Sequence, residues 1–337
     1  MKAMLLSHLA PMSQAAMPLS LVDIPRPDPA RGEVLIRVSA CGVCHTELDE
    51  IEGRTPPPTL PVIPGHEVVG RVIELGEMAS RLSVGDRVGV GWIFSSSGGA
   101  SENIDDEFVA TGRDANGGYA EYMTVPEGYA YRIPDFFETC EAAPLLCAGS
   151  VGYRALKLTQ LQNGEILGLT GFGGSGHLVL QTARYLYPGS PVYVFARNSE
   201  ERKFALSLGA DWAGDTGDAP PKAPHAIIDT TPAWYPVIAS LECLRPGGRL
   251  VINAIRKEDD DKSLMATISY EDHLWKEKSL RTVANISSED ISTFLKIAAE
   301  ARIRPEVQLY PLEDANRALQ ELRAGNVRGA KVLRIAD

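Results

Sequence analysis

Ten consecutive residues, CGVCHTELDE from Cys41 to Glu50, hold two cysteines, a histidine, a hydroxyl and three carboxylates. Thiols at this spacing suit a zinc knuckle, a redox pair or one edge of a catalytic site. A structural knuckle needs a second closely spaced pair, but the other cysteines, Cys140, Cys147 and Cys243, are scattered. A thioredoxin-like pair sits at a helix start inside a βαβ unit, whereas Cys41 ends a β-rich run. What remains is a site assembled from distant segments. PGHE, Pro64 to Glu67, offers His66 and Glu67 after a proline-rich loop, and PLLCAG, Pro144 to Gly149, offers Cys147.

A second motif, GFGGSG from Gly171 to Gly176, follows the apolar run ILGLT and opens a helical pattern. Gly171, Gly173, Gly174 and Gly176 would let backbone amides face a pyrophosphate at the positive end of a helix dipole. A bare glycine turn is the competing reading. The placement between strand and helix, inside repeated βα units, favours dinucleotide binding. The next strand closes on Ala196, Arg197 and Asn198, where an NAD site usually has an acidic residue for the ribose 2′-hydroxyl. With no carboxylate to repel a 2′-phosphate and a guanidinium beside it, NADP(H) is favoured. The runner-up is NAD, with Asn198 at its ribose and Arg197 as a solvated surface residue.

These residues need elements to hold them. From Met1 to about Tyr131, β-rich runs such as EVLIRVSA, VVGRVIELG, DRVGVG and YAEYMTV alternate with Gly and Pro, which predicts a compact, mostly antiparallel β domain. TPPPTLPVIPG is too proline-rich for helix or central strand and is expected as a surface loop. From about Ser150 the rhythm is strand then helix, ILGLTG to HLVLQTARYL, PVYVFA to SEERKFALSLGA, HAIIDTT to PVIASLECL, then RLVINAI and LRTVAN. That alternation predicts a parallel, doubly wound sheet. Past Asn285, SSEDISTFLKIAAEA predicts a helix capped by Ser287 or Ser288, and GAKVLRI a strand. The expected class is α/β: residues 1–150 and 286–337 form a mostly β catalytic domain, and 151–285 an inserted cofactor domain.

The 337 residues, 44% hydrophobic and 23% charged, can bury two ordinary cores. The formal charge of -11 comes without a basic stripe, so nucleic acid is not expected as a partner. No stretch reaches the roughly 18 apolar residues of a membrane span. MKAMLLSHLAPMSQAAMPLS is interrupted by His8, Pro11, Ser13 and Gln14 before it could form a signal-peptide core. A soluble cytoplasmic protein is expected. Five cysteines, an odd number, make no disulfide framework, and in a reducing compartment clustered cysteines point to metal or catalysis.

The chain resembles the zinc-dependent medium-chain alcohol dehydrogenases along nearly its whole length, through GVCHTEL, PGHE, NGGYAEYM, PLLCAG, GFGGSGH, LRPGGRLV, LEDANRAL and VRGAKVL. The resemblance implies a GroES-like catalytic domain, a Rossmann cofactor domain, and one catalytic zinc on Cys44, His66 and Cys147. Two cysteines and one histidine are the known zinc set of alcohol dehydrogenases, so this assignment comes with the resemblance. It further implies that Cys41 is a core cysteine and that Glu67 approaches the metal from behind or as a displaceable ligand. Glu47 would orient the histidine, where the family more often has aspartate. Thr46 would accept the alcohol proton, and His45 would contact the cofactor pyrophosphate. Thr230 and Arg328 join the expected cofactor residues.

Two thiolates and a neutral imidazole leave a fourth position, where an alcohol or carbonyl oxygen can be polarised while hydride passes to or from nicotinamide. The expected reaction interconverts a primary alcohol, aromatic and medium-chain ones included, and its aldehyde. The alternatives are a polyol or secondary alcohol dehydrogenase, a zinc-free enone or quinone reductase of the same fold, and a nucleotide-binding protein without turnover. Against the last two stand the thiolate site and the Thr46 hydroxyl.

Several positions depart from the family. Trp92 to Gly112 occupies the place of a four-cysteine lobe and contains no cysteine, so a second, structural zinc is expected to be absent. Glu102, Asp105, Asp106 and Glu107 within it read as a solvated loop, with a hard-cation site as the lesser reading. Asp49 stands where a histidine often relays the proton; with an ordinary pKa of about 3.9 it is a poor acceptor at neutral pH, so the relay is expected through water or slower. Val151 replaces a threonine that commonly lies against the nicotinamide. Thr46, Thr55, Trp92, Ile93 and Val151 outline the substrate pocket, with Leu145 and Ile255 as further apolar lining. His8, His177, His225 and His273 are taken as structural. Dimers and tetramers of the family often join cofactor-domain sheets edge to edge, so a homodimer or homotetramer is expected.

Overall fold

The computed structural model describes residues 1–12, 17–99, 101–325 and 328–336. The chain divides into two compact units, Met1–Ser150 with Asn285–Asp337, and Val151–Ala284.

In the first unit, β1 (Lys2–Leu6) and β2 (Leu19–Asp23) form an antiparallel hairpin. Then come β3 (Glu33–Val43), β4 (Val68–Leu75), β5 (Arg87–Val90), β6 (Ile93–Ser95), β7 (Val109–Ala110), β8 (Tyr122–Pro126) and β9 (Ala130–Arg132). Between β3 and β4 stands the short helix α1 (His45–Ile51), and α2 (Thr139–Ala142) follows β9. β3 is the hub of the sheet: rich in β-branched residues, it pairs with both β4 and β8 and buries nearly every side chain. The proline-rich loop differs from expectation in its second half. Val62 bridges Leu6 through two backbone hydrogen bonds, and residues 62–66 are buried. Proline bars a regular strand there, but a single bridge needs only one free amide.

α3 (Ala148–Thr159) carries the chain onward. The second unit is a six-stranded parallel sheet of β10 (Leu167–Thr170), β11 (Val192–Phe195), β12 (Trp212–Gly214), β13 (Ala226–Asp229), β14 (Arg249–Ile252) and β15 (Ser279–Thr282). The spatial order is β12-β11-β10-β13-β14-β15, so the chain reverses direction across the sheet between β10 and β13. That is the switch point at which such sheets bind ligands. Helices α4 (Gly174–Leu186), α5 (Ser199–Ser207) and α6 (Tyr235–Cys243) make the crossovers. β10, β11 and β13 are wholly buried, whereas β15 is an edge strand exposed throughout.

The tail returns to the first unit. α7 (Ser288–Glu300) is capped by Ser287, whose Oγ accepts from Asp290 N at 3.2 Å while the Asp290 carboxylate accepts from Ser287 N at 3.1 Å. β16 (Val307–Pro311), α8 (Ala315–Arg323) and β17 (Ala330–Arg334) complete the sheet in the order β16-β17-β3-β4-β5-β9, with β8 also on β3. α8 lies in LEDANRAL, where no helix was foreseen; Ala315, Ala318, Leu319 and Leu322 give it one buried stripe. Among the described residues no helix is long and apolar enough to cross a membrane.

A candidate zinc centre and a dinucleotide crevice

β3 runs through Cys41 to Val43, and Cys44 is the N-cap of α1. Glu47 at the third helical position ties the site together: Oε2 accepts from the Cys44 backbone N at 2.8 Å, and Oε1 lies 2.6 Å from His66 Nδ1. One carboxylate therefore holds the cysteine's backbone and sets which imidazole nitrogen faces away. His66 Nε2 is buried and has no hydrogen-bond partner among the described residues, a state that is costly unless a ligand completes it. Glu67 is buried too, with the Ala148 amide bonded to its carboxylate. A Cβ at Gly42 would sit 1.8 Å from Glu67 Oε2, so that glycine makes room for the carboxylate. Cys147 follows a turn of 3-10 helix, Ala143–Leu146, just before α3.

Donor atoms of Cys44, His66, Glu67 and Cys147 all lie within 4.8 Å of one another. Two sulfurs, an imidazole nitrogen and a carboxylate oxygen suit zinc well. Electrostatics agree with the geometry. A hydrogen bond from Cys147 holds the Cys44 thiol well below its ordinary pKa against the cost of burial, with His66 assisting. Its hydrogen bond with Cys44 and burial push the Cys147 thiol up, and a cation bound here would favour the deprotonated form of both sulfurs. Burial is the largest influence on His66 and opposes its charge, but Glu47 and Cys44 outweigh it and raise its pKa. Replacing Glu47 by alanine is expected to weaken zinc binding about 10- to 100-fold, as loss of a ligand's orienting partner usually does. Competition titration with a coloured chelator checks this, and unchanged affinity would remove the orienting role.

Thr46 Oγ1 lies 3.6 Å from Cys44 Sγ, while His45 is exposed at the first position of α1. Asp49 is buried, and its Oδ1 accepts from Arg54 Nε at 2.6 Å. Its backbone carbonyl also accepts from the amides of Arg54 and Thr55, so this residue anchors the turn after α1. Glu50, not singled out from the sequence, is likewise buried; burial and the Glu47 charge push its carboxyl well above the ordinary range. Trp92 stands near His66, ring centroids 6.4 Å apart, with Phe108 at 5.0 Å and the Arg113 guanidinium 5.6 Å from its ring. Arg113 itself is held by Asp114 through two bonds of 2.8 and 2.7 Å. Thr55 is partly exposed, whereas Ile93 and Leu145 are fully buried.

The acidic segment after Trp92 is not uniformly solvated. Glu102 is buried: Oε2 accepts from Ser96 Oγ at 2.7 Å and Tyr129 OH at 3.2 Å, and Oε1 accepts from the Ser288 amide at the start of α7. Asp105, Asp106 and Glu107 remain at the surface. The expected structural histidines His177, His225 and His273 bond to the backbone through Nδ1 at 3.0, 3.0 and 3.1 Å, to Gly173, Ile166 and Ser269.

In the second unit the glycine motif forms the turn from β10 into α4. Gly171 has φ +77, and a Cβ there would meet Thr230 Oγ1 at 2.9 Å; one on Gly176 would lie 2.7 Å from the Gly171 carbonyl. Gly173 is the N-cap, and Gly174 begins the helix. Thr230 Oγ1 donates to Thr170 O at 2.9 Å across the switch point. Ala196 follows β11 and bonds to Gly214 O at 3.0 Å. Arg197 and Asn198 are exposed, and Asn198 Oδ1 caps α5 by accepting from Glu200 N at 2.9 Å. Arg202, missed in the sequence, donates to the carbonyls of Ala196 and Arg197 at 2.6 and 3.0 Å and lies 3.6 Å from Asp215. Val151 packs on this unit's core, and Ile255 is exposed beyond β14. In the first unit, Arg328 pairs with Glu306 at 2.6 Å.

Residues 30–135 match the family model for the alcohol dehydrogenase GroES-like domain, and residues 174–300 match that for zinc-binding dehydrogenase. A Mycobacterium tuberculosis protein named probable alcohol dehydrogenase AdhA is 42% identical over 94% of this chain and 93% of its own length. Among solved structures, a cinnamyl alcohol dehydrogenase from Sorghum bicolor is 26% identical with a TM-score of 0.83, covering 99% of this chain and 97% of that one. CAD from Helicobacter pylori, complexed with NADP(H), is 25% identical with the same TM-score over 99% of each chain. Likeness of this extent leaves one conclusion: the chain belongs to the zinc-dependent medium-chain alcohol dehydrogenases, enzymes that use NAD or NADP, and Cys44, His66, Glu67 and Cys147 form its zinc site.

Proposed function

We propose that this alcohol dehydrogenase interconverts primary alcohols, aromatic or medium-chain, with their aldehydes, and that it prefers NADP(H). The observation that carries the cofactor reading is the end of β11. Ala196 puts no carboxylate at the end of the strand, Arg197 is exposed beside it, and Arg202, held to the carbonyls of both, places a second guanidinium there. The Helicobacter pylori relative complexed with NADP(H) supports it.

Zinc, when bound, supplies polarisation of the substrate C–O bond, and the nicotinamide supplies or takes the hydride. Thr46 Oγ1 accepts the alcohol proton beside Cys44. Glu47 fixes the His66 ring through Nδ1 and leaves Nε2 to be offered to the metal, and Glu67 would offer it a displaceable oxygen. Asp49, engaged by Arg54, leaves the outward proton path to water. Trp92, braced by Arg113 and Phe108, forms the flat wall that suits an aromatic or extended substrate, while Thr55 leaves room beside it. Within the second unit, Thr230, at the switch point, serves the cofactor. The exposed edge strand β15, with Leu280 and the nearby exposed Tyr270, Leu274 and Trp275, favours a homodimer or homotetramer.

The test is the initial rate of NADPH and NADH oxidation with aliphatic and aromatic aldehydes, before and after a strong zinc chelator, with molar mass read by light scattering on the same preparation. Chelator-sensitive aldehyde reduction by an oligomer with NADPH preferred is expected. A preference for NADH would overturn the cofactor reading, turnover confined to ketones or polyols the substrate reading, and a monomeric mass the assembly.

A further inference from the structure

Lys257 is a lysine in the cofactor unit, its side chain only 9% exposed, that neither the zinc chemistry nor the glycine motif uses. It lies beyond β14, and its Nζ reaches back to the Asp229 carboxylate at the end of β13. The same ammonium donates to Thr231 O at 2.8 Å and Ala233 O at 2.9 Å, so all three of its donors are engaged. Asp229 is fully buried; its other oxygen accepts from Thr170 Oγ1 at 2.6 Å, Thr231 Oγ1 at 2.8 Å and Thr231 N at 3.2 Å. Thr170 ends β10, on the far side of the switch point. One ion pair thus joins the chain at the carboxyl ends of β10, β13 and β14.

Such a pair is a poor way to gain stability, because desolvating both charges offsets most of their attraction. Its yield is shape, since three loops are fixed to one point. Those loops rim the crevice where a doubly wound sheet takes its dinucleotide, and β13 and β14 belong to the half opposite the one that carries the glycine turn and Ala196. The glycine-turn half receives the adenosine end. The loops that Lys257 fixes therefore underlie the nicotinamide end.

We propose that Lys257, through Asp229, is a positioning residue for the nicotinamide half of the cofactor: it holds segments 229–233 and 253–257 in the form on which the nicotinamide ribose rests. The inference relies on the chain binding a nicotinamide dinucleotide but not on which one. Lys257→Met keeps the stem and removes the three donors; because it strands Asp229, the pair Lys257→Met/Asp229→Asn is measured beside it. Dissociation constants are read from protein fluorescence for NADPH against adenosine 2′,5′-bisphosphate, and for NADH against 5′-AMP. In both variants the dinucleotide constants are expected to rise about tenfold or more, as loss of preorganisation does, while the adenosine ligands stay within about twofold. Unchanged dinucleotide binding overturns the proposal. An equal loss for dinucleotide and adenosine ligand also overturns it, since that marks damage to the whole unit. A wrong cofactor preference would instead show as weak NADPH binding by the unaltered protein, and the NADH pair would still decide the matter.

Discussion

Cys147→Ala is expected to lose bound zinc and, with it, about a thousandfold or more in kcat/KM. Metal-assisted polarisation contributes several kcal/mol to the transition state, and each 1.36 kcal/mol is tenfold in rate. The thiol is one of four donors gathered within 4.8 Å. Removing it leaves one sulfur, one imidazole and one carboxylate, a harder and weaker set for zinc. Cys147 is also the largest influence that holds the Cys44 thiol low, so alanine removes the neighbour that favours the Cys44 thiolate. Metal content by elemental analysis, kcat/KM and circular dichroism together check the prediction. Full turnover by a folded, zinc-free variant would end the zinc mechanism.

The second large effect concerns the cofactor. Ala196→Asp combined with Arg197→Ala is expected to move the NADPH-to-NADH ratio of kcat/KM about a hundredfold toward NADH. A charge-assisted hydrogen bond is worth about 1.5–3 kcal/mol, and a new carboxylate adds repulsion of the 2′-phosphate while accepting from the ribose 2′-hydroxyl. Arg202 limits the shift. Tied to the carbonyls of residues 196 and 197, it remains as a cation in the double variant, so a triple variant with Arg202→Ala should go further. A ratio that stays where it was would refute the role of Arg197. Asn198 is poorly placed to serve the ribose instead, because its side chain caps α5.

The alternation of strand and helix after Ser150, and the Gly-punctuated β runs before it, made the two architectures legible, because periodicity and turn chemistry are local. The zinc ligands came from family resemblance, since no local rule brings residues 44, 66 and 147 together. Helix α1 was hidden: from Thr46 to Ile51 every residue is buried, so HTELDEI has no polar face to set against an apolar one. The case against a redox pair rested on Cys41 ending a β run, yet Cys44 does start a helix. What separates the two thiols is direction, with Cys41 turned into the core beside Gly65 and Gly118. Glu102 and Lys257 were read as surface charge, or not read at all, because their partners are distant in sequence: Ser288 lies 186 residues from Glu102, and Asp229 lies 28 from Lys257. A charged residue's burial is decided by partners of this kind, and a single sequence does not pair them.

Glu102 has a bearing on how the protein matures. The carboxylate that binds Ser96, Tyr129 and the amide of Ser288 is supplied at translation. None of its partners is a thiol or one of the four donors around Cys44. The attachment of the segment beyond Trp92 to α7 is therefore expected to survive removal of zinc from the Cys44 site by a chelator, which hydrogen exchange at the Ser288 amide would read.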